Sequence, residues 1–355
     1  MSSLDNAPRE KIQEAVEEQQ PEPMPVLGAP KKKKRRRTLY RRIFVFFTLI
    51  MFILMFVIII RLNGKIMTLS ERLAASEDYI AAANSKVYEY AKPDDVVLIE
   101  DRTYGETWLK AMENVPLNSR DYSNLVLEDG RYTYYENGEV ASRTGIDVSY
   151  HQGDIDWEKV AADGIDFVMV RLGYRGYETG LINEDERARE YIEGAIAAGL
   201  DVGAYFYSQA ITEAEAVKEA QFVTEMLAGY KITYPVVFDW EIPGEDGART
   251  SDTSTTMLNK CAAAFCSEVS AAGYTPMIYS GLKMALSKFD MNQLCIFDFW
   301  YVEYKDGHNP PEYPYEIQMW QYASDGRVDG IEGDVDMNIC FEDYRKKYDI
   351  LHNEE

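Results

Sequence analysis

Residues 43–60 are eighteen consecutive positions without a charge, interrupted only by the hydroxyl of Thr48, and they follow directly on a basic cluster, Lys31 to Arg37 with Arg41 and Arg42. A helix of that length, extended by Arg42 and Arg61 snorkelling at its ends, can cross a hydrocarbon core of about 30 Å. The cluster on the N-terminal side then puts the N-terminus in the cytoplasm by the positive-inside rule. A cleaved secretory signal is the competing reading. The run is longer than a usual signal core, however, and no small-x-small cleavage site follows promptly. Read alone, the basic run could be a nuclear or nucleic-acid patch; beside an apolar span it is a topology signal. The expected division is a disordered cytoplasmic tail over 1–42, rich in Glu, Gln, Pro and Ala, a single transmembrane helix over 43–61, and the bulk of the chain outside the cell membrane.

Charge supports that division. Of the chain's 37 Lys+Arg and 60 Asp+Glu, residues 1–61 carry 12 and 6, which leaves 25 basic against 54 acidic side chains in 62–355, a formal charge of −29. Such a surface repels nucleic acid and gains nothing by steering toward a polyanion, so a polymer partner must be recognised by a shaped cleft. The four cysteines, Cys261, Cys266, Cys295 and Cys340, form no C-x-x-C motif and are expected to be buried free thiols, since a domain of this size does not need a disulfide framework. His151, His308 and His352 are scattered without metal-ligand spacing. Neither a metal nor a cofactor is expected.

Residues 62–143 are expected to form a stalk and a small hairpin. Good helix formers run through 62–90, and 92–119 shows no clear pattern. Two turn dipeptides, Asp129-Gly130 and Asn137-Gly138, then flank Arg131-Tyr132-Thr133-Tyr134-Tyr135, a strong hairpin signal read as a spacer before the main domain. From Thr144 apolar runs alternate with amphipathic stretches. Strands are expected at 146–150, 167–172, 202–207, 236–240, 277–279, 299–302 and 317–320, and helices at 157–163, 183–198, 212–228 and 253–272. Thr212 with Glu215 forms a capping-box pattern at the third of these helices. Six or more such units in about 200 residues fit a β/α barrel better than an open sheet, and barrel sites lie at the C-terminal ends of strands.

One strand ends unusually. Tyr234-Pro235-Val236-Val237-Phe238-Asp239-Trp240-Glu241 is an apolar run that closes on two carboxylates. An unpaired buried carboxylate costs several kcal/mol, so two of them there call for a reason. Positions i and i+2 of a strand share a face, with Cα atoms about 6.6 Å apart at a rise of about 3.3 Å per residue. Two carboxylates so placed are what glycosidic-bond cleavage needs.

Several segments together resemble glycoside hydrolase family 25, the lysozyme-type muramidases of bacteria and phage. They are Gly145-Ile146-Asp147-Val148-Ser149-x-x-Gln152-Gly153 with Ile155-Asp156-Trp157; Phe167-Val168-Met169-Val170-Arg171; Gly203-Ala204-Tyr205-Phe206-Tyr207; and Phe238-Asp239-Trp240-Glu241. Tyr279-Ser280-Gly281, Trp320-Gln321-Tyr322, Gly330-Ile331 and Val335-Asp336-Met337-Asn338 complete the set. The resemblance covers roughly 144–345 and leaves the first 143 residues outside it. It implies an irregular TIM-like β/α barrel, taken here as 144–348, that cleaves the β-1,4 bond between N-acetylmuramic acid and N-acetylglucosamine in peptidoglycan glycan strands. It also implies that Asp147, Asp239, Glu241 and Asp336 are the acidic active-site positions.

On that basis Glu241 is expected to be the general acid and later the base. Asp239 is expected to stay ionised, either stabilising an oxocarbenium-like state or orienting the 2-acetamido group as an internal nucleophile. Asp147 and Asp336 would act electrostatically, although Asp-x-Asn could also be a simple cap. The close spacing of the pair favours retention over inversion. Asp147, Ser149 and His151 share an alternating face but spread along one strand, which speaks against a Ser-His-Asp triad. Tyr205, Tyr207, Trp240, Tyr279, Trp300, Tyr304 and Trp320 recur near strand ends and are candidates for stacking on sugar rings. Two alternatives stand beside this reading. One is a catalytically silent wall-binding or division-associated scaffold. The other is a chitinase-like hydrolase, disfavoured because Val237 stands where such sites carry a further Asp.

Overall fold

The computed structural model describes residues 40–67, 96–101, 105–242, 248–305 and 309–353. The chain divides into two units, Met1–Asp78 and Tyr79–Glu355. In the first unit the described segment is one helix, α1 (Tyr40–Met67), 28 residues long, with its apolar side chains exposed. A helix apolar on every face has no single stripe to bury against a soluble core, and this one is long enough to cross a bilayer. Of the disordered tail expected over 1–42, residues 40–42 belong to α1 instead; residues 1–39, and the expected stalk helix from residue 68 onward, lie outside the described residues.

The second unit opens with an antiparallel pair, β1 (Val96–Asp101) and β2 (Gly105–Lys110), in the stretch where the sequence shows no pattern. A small antiparallel sheet follows, β3 (Leu125–Glu128), β4 (Arg131–Glu136) and β5 (Glu139–Val140). Its two turns have φ of 49° and 77° at Asp129-Gly130, and 52° and 82° at Asn137-Gly138. Positive φ at both central residues is the signature of the type I′ turn. The sheet is docked rather than free-standing. Tyr132 packs against Trp320 and Tyr322 with ring centroids 4.9 and 5.0 Å away, and Tyr134 against Phe341 at 5.7 Å. The Tyr132→Ala variant is expected to lose about 3 kcal/mol of stability, read from denaturant or thermal unfolding. An unchanged midpoint would show that the hairpin contributes nothing to the barrel.

The barrel elements are β6 (Arg143–Val148), α2 (Trp157–Ala162), β7 (Phe167–Arg175), β8 (Ile182–Glu184), α3 (Ala188–Ala197), β9 (Asp201–Ser208), α4 (Glu213–Leu227), β10 (Val236–Trp240) and α5 (Thr255–Ala271). After these come β11 (Pro276–Gly281), α6 (Leu282–Ser287), α7 (Met291–Leu294), β12 (Asp298–Val302), β13 (Met319–Gly326), β14 (Val335–Cys340) and α8 (Tyr344–Asn353). Eight strands close in the order β6-β14-β13-β12-β11-β10-β9-β7, with β7 pairing back onto β6, and β8 adds to the far end of β7. The result is a mixed α/β fold around a closed barrel.

Three elements differ from the sequence expectation. The helix expected from 183 starts only at Ala188, because Ile182–Glu184 pairs antiparallel with Gly173–Arg175. The strand expected at 317–320 begins at Met319 and runs on to Gly326. β14 is not among the expected strands; it holds Asp336 within it, which removes the alternative reading of Asp-x-Asn as a simple cap, and it runs antiparallel to both β13 and β6. The short connection from Gly326 to Val335 explains that direction, since a parallel return needs a crossover of a dozen or more residues.

Strand alternation divides the apolar residues into two layers. Val168, Val170, Val202, Ala204, Phe206, Val236, Phe238 and Ile278 face outward into the helix layer. There α3 presents Ala188, Tyr191, Ile192 and Ala195, and α5 presents Leu258, Cys261, Ala262, Phe265, Cys266 and Val269. The i, i+3, i+4 spacing puts each set on one helix face. The alternate residues Phe167, Met169, Val237, Met277, Trp300, Met319 and Cys340 fill the barrel interior. Gly145 is inward too, and a Cβ there would come within 2.2 Å of the Phe167 ring, so the interior has no room for a side chain at that position. All four cysteines are unpaired; Cys295 is half-buried and the others buried.

Candidate active site

The inward phase that packs the barrel turns polar at the strands' C-terminal ends. Along β7 it runs Phe167, Met169, Arg171; along β10, Val237, Asp239, then Glu241 just past the strand. β6 adds Asp147, β9 adds Tyr205 and Tyr207, and β11 adds Tyr279. Trp300 comes from β12, Gln321 from β13 and Asp336 from β14. With Tyr304, these residues line one cavity of about 160 Å³. The structure therefore brings Asp147, Asp239, Glu241 and Asp336 together, from three strands and a strand end.

Trp240 and Trp320 are elsewhere. Each is one residue out of phase with an inward neighbour, so its ring enters the outer layer. Trp240 donates from Nε1 to the Ala210 carbonyl at 2.9 Å, and Trp320 to the Glu303 carbonyl at 3.0 Å. The expectation that these two contact a ligand is corrected accordingly: strand alternation makes them anchors between barrel and surrounding layer. Trp300 does line the cavity but is 1% exposed, beneath Tyr279 and Tyr205 with centroids 4.9 and 6.2 Å away. Ser149 and His151 form no triad with Asp147. Ser149 pairs with Gln152 in a capping box, and the exposed His151 ring lies tilted against Tyr150 with centroids 4.0 Å apart.

Asp147 is the end point of a directed hydrogen-bond network. Its Oδ2 accepts from Gln321 Nε2 at 2.7 Å and from Asn338 Nδ2 at 2.8 Å. Gln321 Oε1 in turn accepts the hydroxyls of Tyr279 and Tyr304 at 2.8 and 2.9 Å, and Asn338 Oδ1 accepts Trp300 Nε1 at 2.9 Å. Burial raises the Asp147 pKa, while the two amide donors pull it back down. Asp336 is the cross-strand partner of Asp147 and hydrogen-bonds to it. Burial first, then the charge of Asp147, push Asp336 up to about 8. Asp336 is therefore pushed toward the protonated form, facing an Asp147 whose carboxylate is supported by two amide donors.

That arrangement has a stability consequence. A carboxyl whose folded-state pKa lies above its unfolded value stabilises the fold fully below the unfolded pKa, and the contribution is lost as pH rises through the folded pKa. Stability is expected to decline from about pH 4 toward pH 8, and Asp336→Asn to flatten that decline. Chemical denaturation at stepped pH checks this. An equal slope in the variant would remove Asp336 as the source.

The Asp239/Glu241 pair occupies the opposite wall. Asp239 is 6% exposed, and its pKa is raised by burial, then by Glu241 and Asp147, against the opposing charge of Arg171. Glu241 stands at the rim, open to solvent on one side and crowded on the others, and that burial raises its pKa as well. Both members therefore favour the protonated form more than free carboxylates do. The expectation of an ionised Asp239 meets a burial that by itself opposes it.

Sequence reasoning assigned no part to Gln209, Gln321, Asn338 or Arg171. Gln209 is fully buried and donates from Nε2 to the Glu241 carbonyl at 2.8 Å, while its Oε1 accepts the Thr250 hydroxyl at 2.9 Å. It fixes the backbone that carries Glu241. The signal for Arg171, Gln321 and Asn338 was available in the period-two phase, since each continues an apolar inward series. Gln209, just past the end of β9, carries no such mark.

Comparison with known proteins agrees with this geometry. The chain is 23% identical over 194 residues to "Autolytic lysozyme" of Clostridium acetobutylicum, covering 55% of this chain and 54% of that protein. It is 26% identical over 204 residues to "Lysozyme M1" of Streptomyces globisporus, covering 55% and 66%. The chain thus spans between half and two thirds of the length of these relatives. Among solved structures it is similar to the modular autolysin LytC from Streptococcus pneumoniae, with 25% identity and a TM-score of 0.50 over 70% of this chain and 57% of that one. LytC has also been solved in complex with a synthetic peptidoglycan ligand. The family model described as "Glycosyl hydrolases family 25" matches residues 146–331, just over half of the 355-residue chain, and the chain belongs to that family.

Proposed function

We propose that this protein is a membrane-anchored peptidoglycan hydrolase, a muramidase that cleaves the β-1,4 bond between N-acetylmuramic acid and N-acetylglucosamine. The observation that carries the reading is the convergence of four carboxylates in one barrel-mouth cavity, with Glu241 at the rim and Asp239 deeper. Residues 144–348 would be the catalytic unit. Tyr207, Tyr279 and Tyr304 offer phenol faces and hydroxyls to the sugar, over a floor made by Trp300.

In this mechanism Glu241 protonates the leaving oxygen as the glycosidic bond breaks. Asp239, anionic at that moment, stabilises positive charge at the anomeric carbon directly or through the 2-acetamido group. Water then enters from the rim, and Glu241 takes its proton, which returns the site to its starting state. The Asp336–Asp147 pair holds a fixed dipole on the facing wall. The i, i+2 spacing of the pair, Asp239 within β10 and Glu241 just past it, favours the close spacing of retaining enzymes.

Helix α1 supports the anchoring, and the basic cluster before it supports a cytoplasmic N-terminus with the barrel outside. The formal charge of −29 on residues 62–355 fits recognition of the glycan by cleft shape rather than by a cationic surface. Incubating the full-length protein in detergent micelles with purified peptidoglycan tests the activity. New reducing-end muramic acid is the expected product. Binding without release would favour the silent scaffold, and new reducing-end glucosamine would move the cleavage to the other bond.

A further inference from the structure

Of the four carboxylates in the cavity, Glu241 is the one that lies outside a strand. Asp147, Asp239 and Asp336 belong to β6, β10 and β14. The ladder of β10 with β9 ends at Trp240 and Ser208, and that with β11 ends at Asp239 and Tyr279. Glu241 is therefore the first residue past the sheet, where the chain sets out toward α5. A general acid needs a fixed position, because a misplacement of about 1 Å can cost about 10²-fold in rate.

The fixing group is the side chain of Gln209, the residue that follows β9. Gln209 and Thr250 are both fully buried, and Thr250 lies near the far end of the connection that Glu241 begins. Gln209 Nε2 donates to the Glu241 carbonyl at 2.8 Å and to the Ser208 carbonyl at 3.1 Å, while Oε1 accepts the Thr250 hydroxyl at 2.9 Å. One amide thus bridges the two ends of the β10–α5 connection. Turned over, it would set its oxygen against two carbonyls, so a single orientation satisfies all three partners.

That amide stands on a braced backbone. On one side Ser208 Oγ donates to the buried Glu219 carboxyl at 2.6 Å and accepts the Ala210 N–H at 3.2 Å. On the other, Arg249 ties the same connection down a second time. Its Nη1 donates to the Gln209 carbonyl at 3.1 Å and its Nη2 to Glu215 Oε1, at the start of α4, at 2.6 Å.

We propose that Gln209 is a positioning residue for the rim acid, stapling both ends of the β10–α5 connection so that the Glu241 carboxyl meets the leaving oxygen. This rests on the hydrolase reading of the cavity and adds to it the group that places the proton donor. Asp239 keeps its place through ladder partners on both sides, Tyr207 and Tyr279, and does not depend on the staple. Loss of the staple therefore weakens protonation of the leaving group and spares the anionic half of the site. A displaced acid slows the departure of a poor leaving group and matters little for one that departs unprotonated.

The test measures kcat and KM of the full-length protein in detergent micelles on two substrates. One is purified peptidoglycan; the other is the nitrophenyl β-glycoside of an N-acetylglucosaminyl-N-acetylmuramic acid disaccharide. Gln209→Met keeps the length of the side chain and removes the amide. It should lower kcat on peptidoglycan about 10- to 100-fold with KM within about twofold, and cost less than about threefold on the aryl glycoside. In the Glu241→Gln background it should add nothing on peptidoglycan, whereas with Asp239→Asn the two losses should multiply. Thr250→Val should show the same leaving-group dependence at about threefold, and Thr250→Ser should restore the rate. The Thr250 pair carries the test if Gln209→Met unfolds.

Equal losses on both substrates would overturn the proposal, as would a raised KM at unchanged kcat or a full further loss in the Glu241→Gln background. A Thr250→Ser variant no better than Thr250→Val would overturn the stapling of the far end. An inactive wild type on both substrates removes the hydrolase reading and this inference with it. An active wild type with an unaffected Gln209→Met variant removes this inference alone.

Discussion

The Glu241→Gln protein is expected to lose hydrolysis of peptidoglycan by about 10³-fold in kcat, with an unchanged unfolding midpoint. Gln keeps the size of the side chain and cannot release a proton to the leaving oxygen. A factor of 10³ corresponds to about 4 kcal/mol of transition-state stabilisation, within what a positioned general acid supplies. The fold should not notice the change, because the structural hydrogen bond at this position runs from Gln209 to the Glu241 backbone carbonyl and not to its carboxyl. A substrate with an activated aryl leaving group, which departs without protonation, should recover most of the lost rate. Near-wild-type wall hydrolysis by the variant would sink the assignment of Glu241.

Asp239→Asn is expected to cost about 10²- to 10³-fold in kcat, and here the activated leaving group should give no rescue. The missing element is negative charge beside the anomeric centre, and a better leaving group does not replace it. KM should change little, since the amide still fills the space and can bond to the sugar. The variant should also unfold later than wild type at neutral pH. Asp239 is buried with an oxygen that finds no donor among the described residues, and removing a raised carboxyl relieves the loss of stability it causes as pH rises. More active-site rate lost together with more stability gained is the pattern that would separate a strained functional group from a structural one. Equal rescue of both variants by the activated substrate would remove the distinction between acid and anion.

Much of this architecture was legible in the chain because its strands are short, buried and bounded. The run ending at Asp239 stands out since an apolar strand has no structural use for carboxylates, and β10 lies where the pattern puts it. Helices α4 and α5 are legible for a similar reason: each has a hydroxyl at its N-cap, Thr212 and Ser254, and a continuous buried face. What the sequence hid was decided by partners far away. The segment 182–184 has the composition to begin a helix, but the free edge of β7 takes its backbone into a ladder. Asp336 looks like a turn residue until β6 and β13 are in place on either side of it. The aromatic residues were the least legible part of the site. Trp240 and Tyr279 are alike in sequence, both near an apolar strand's end, and differ only in the phase that sends one ring outward and the other into the cavity.

The way the barrel closes also dictates when the site can exist. Asp147 belongs to the first barrel strand and its amide partner Asn338 to the last, 191 positions later. Contacts of such separation form late, because the loop they close must be ordered before it is rewarded. Until β14 inserts, β6 and β13 present bare hydrogen-bonding edges, and Asp147 has neither Asn338 nor Asp336 beside it. A nascent or truncated chain that lacks residues beyond Asp334 would therefore be both inert and prone to edge-to-edge association. Under the proposed function, competence to hydrolyse a glycan is therefore tied to completion of the last strand, which brings Asn338 and Asp336 to Asp147.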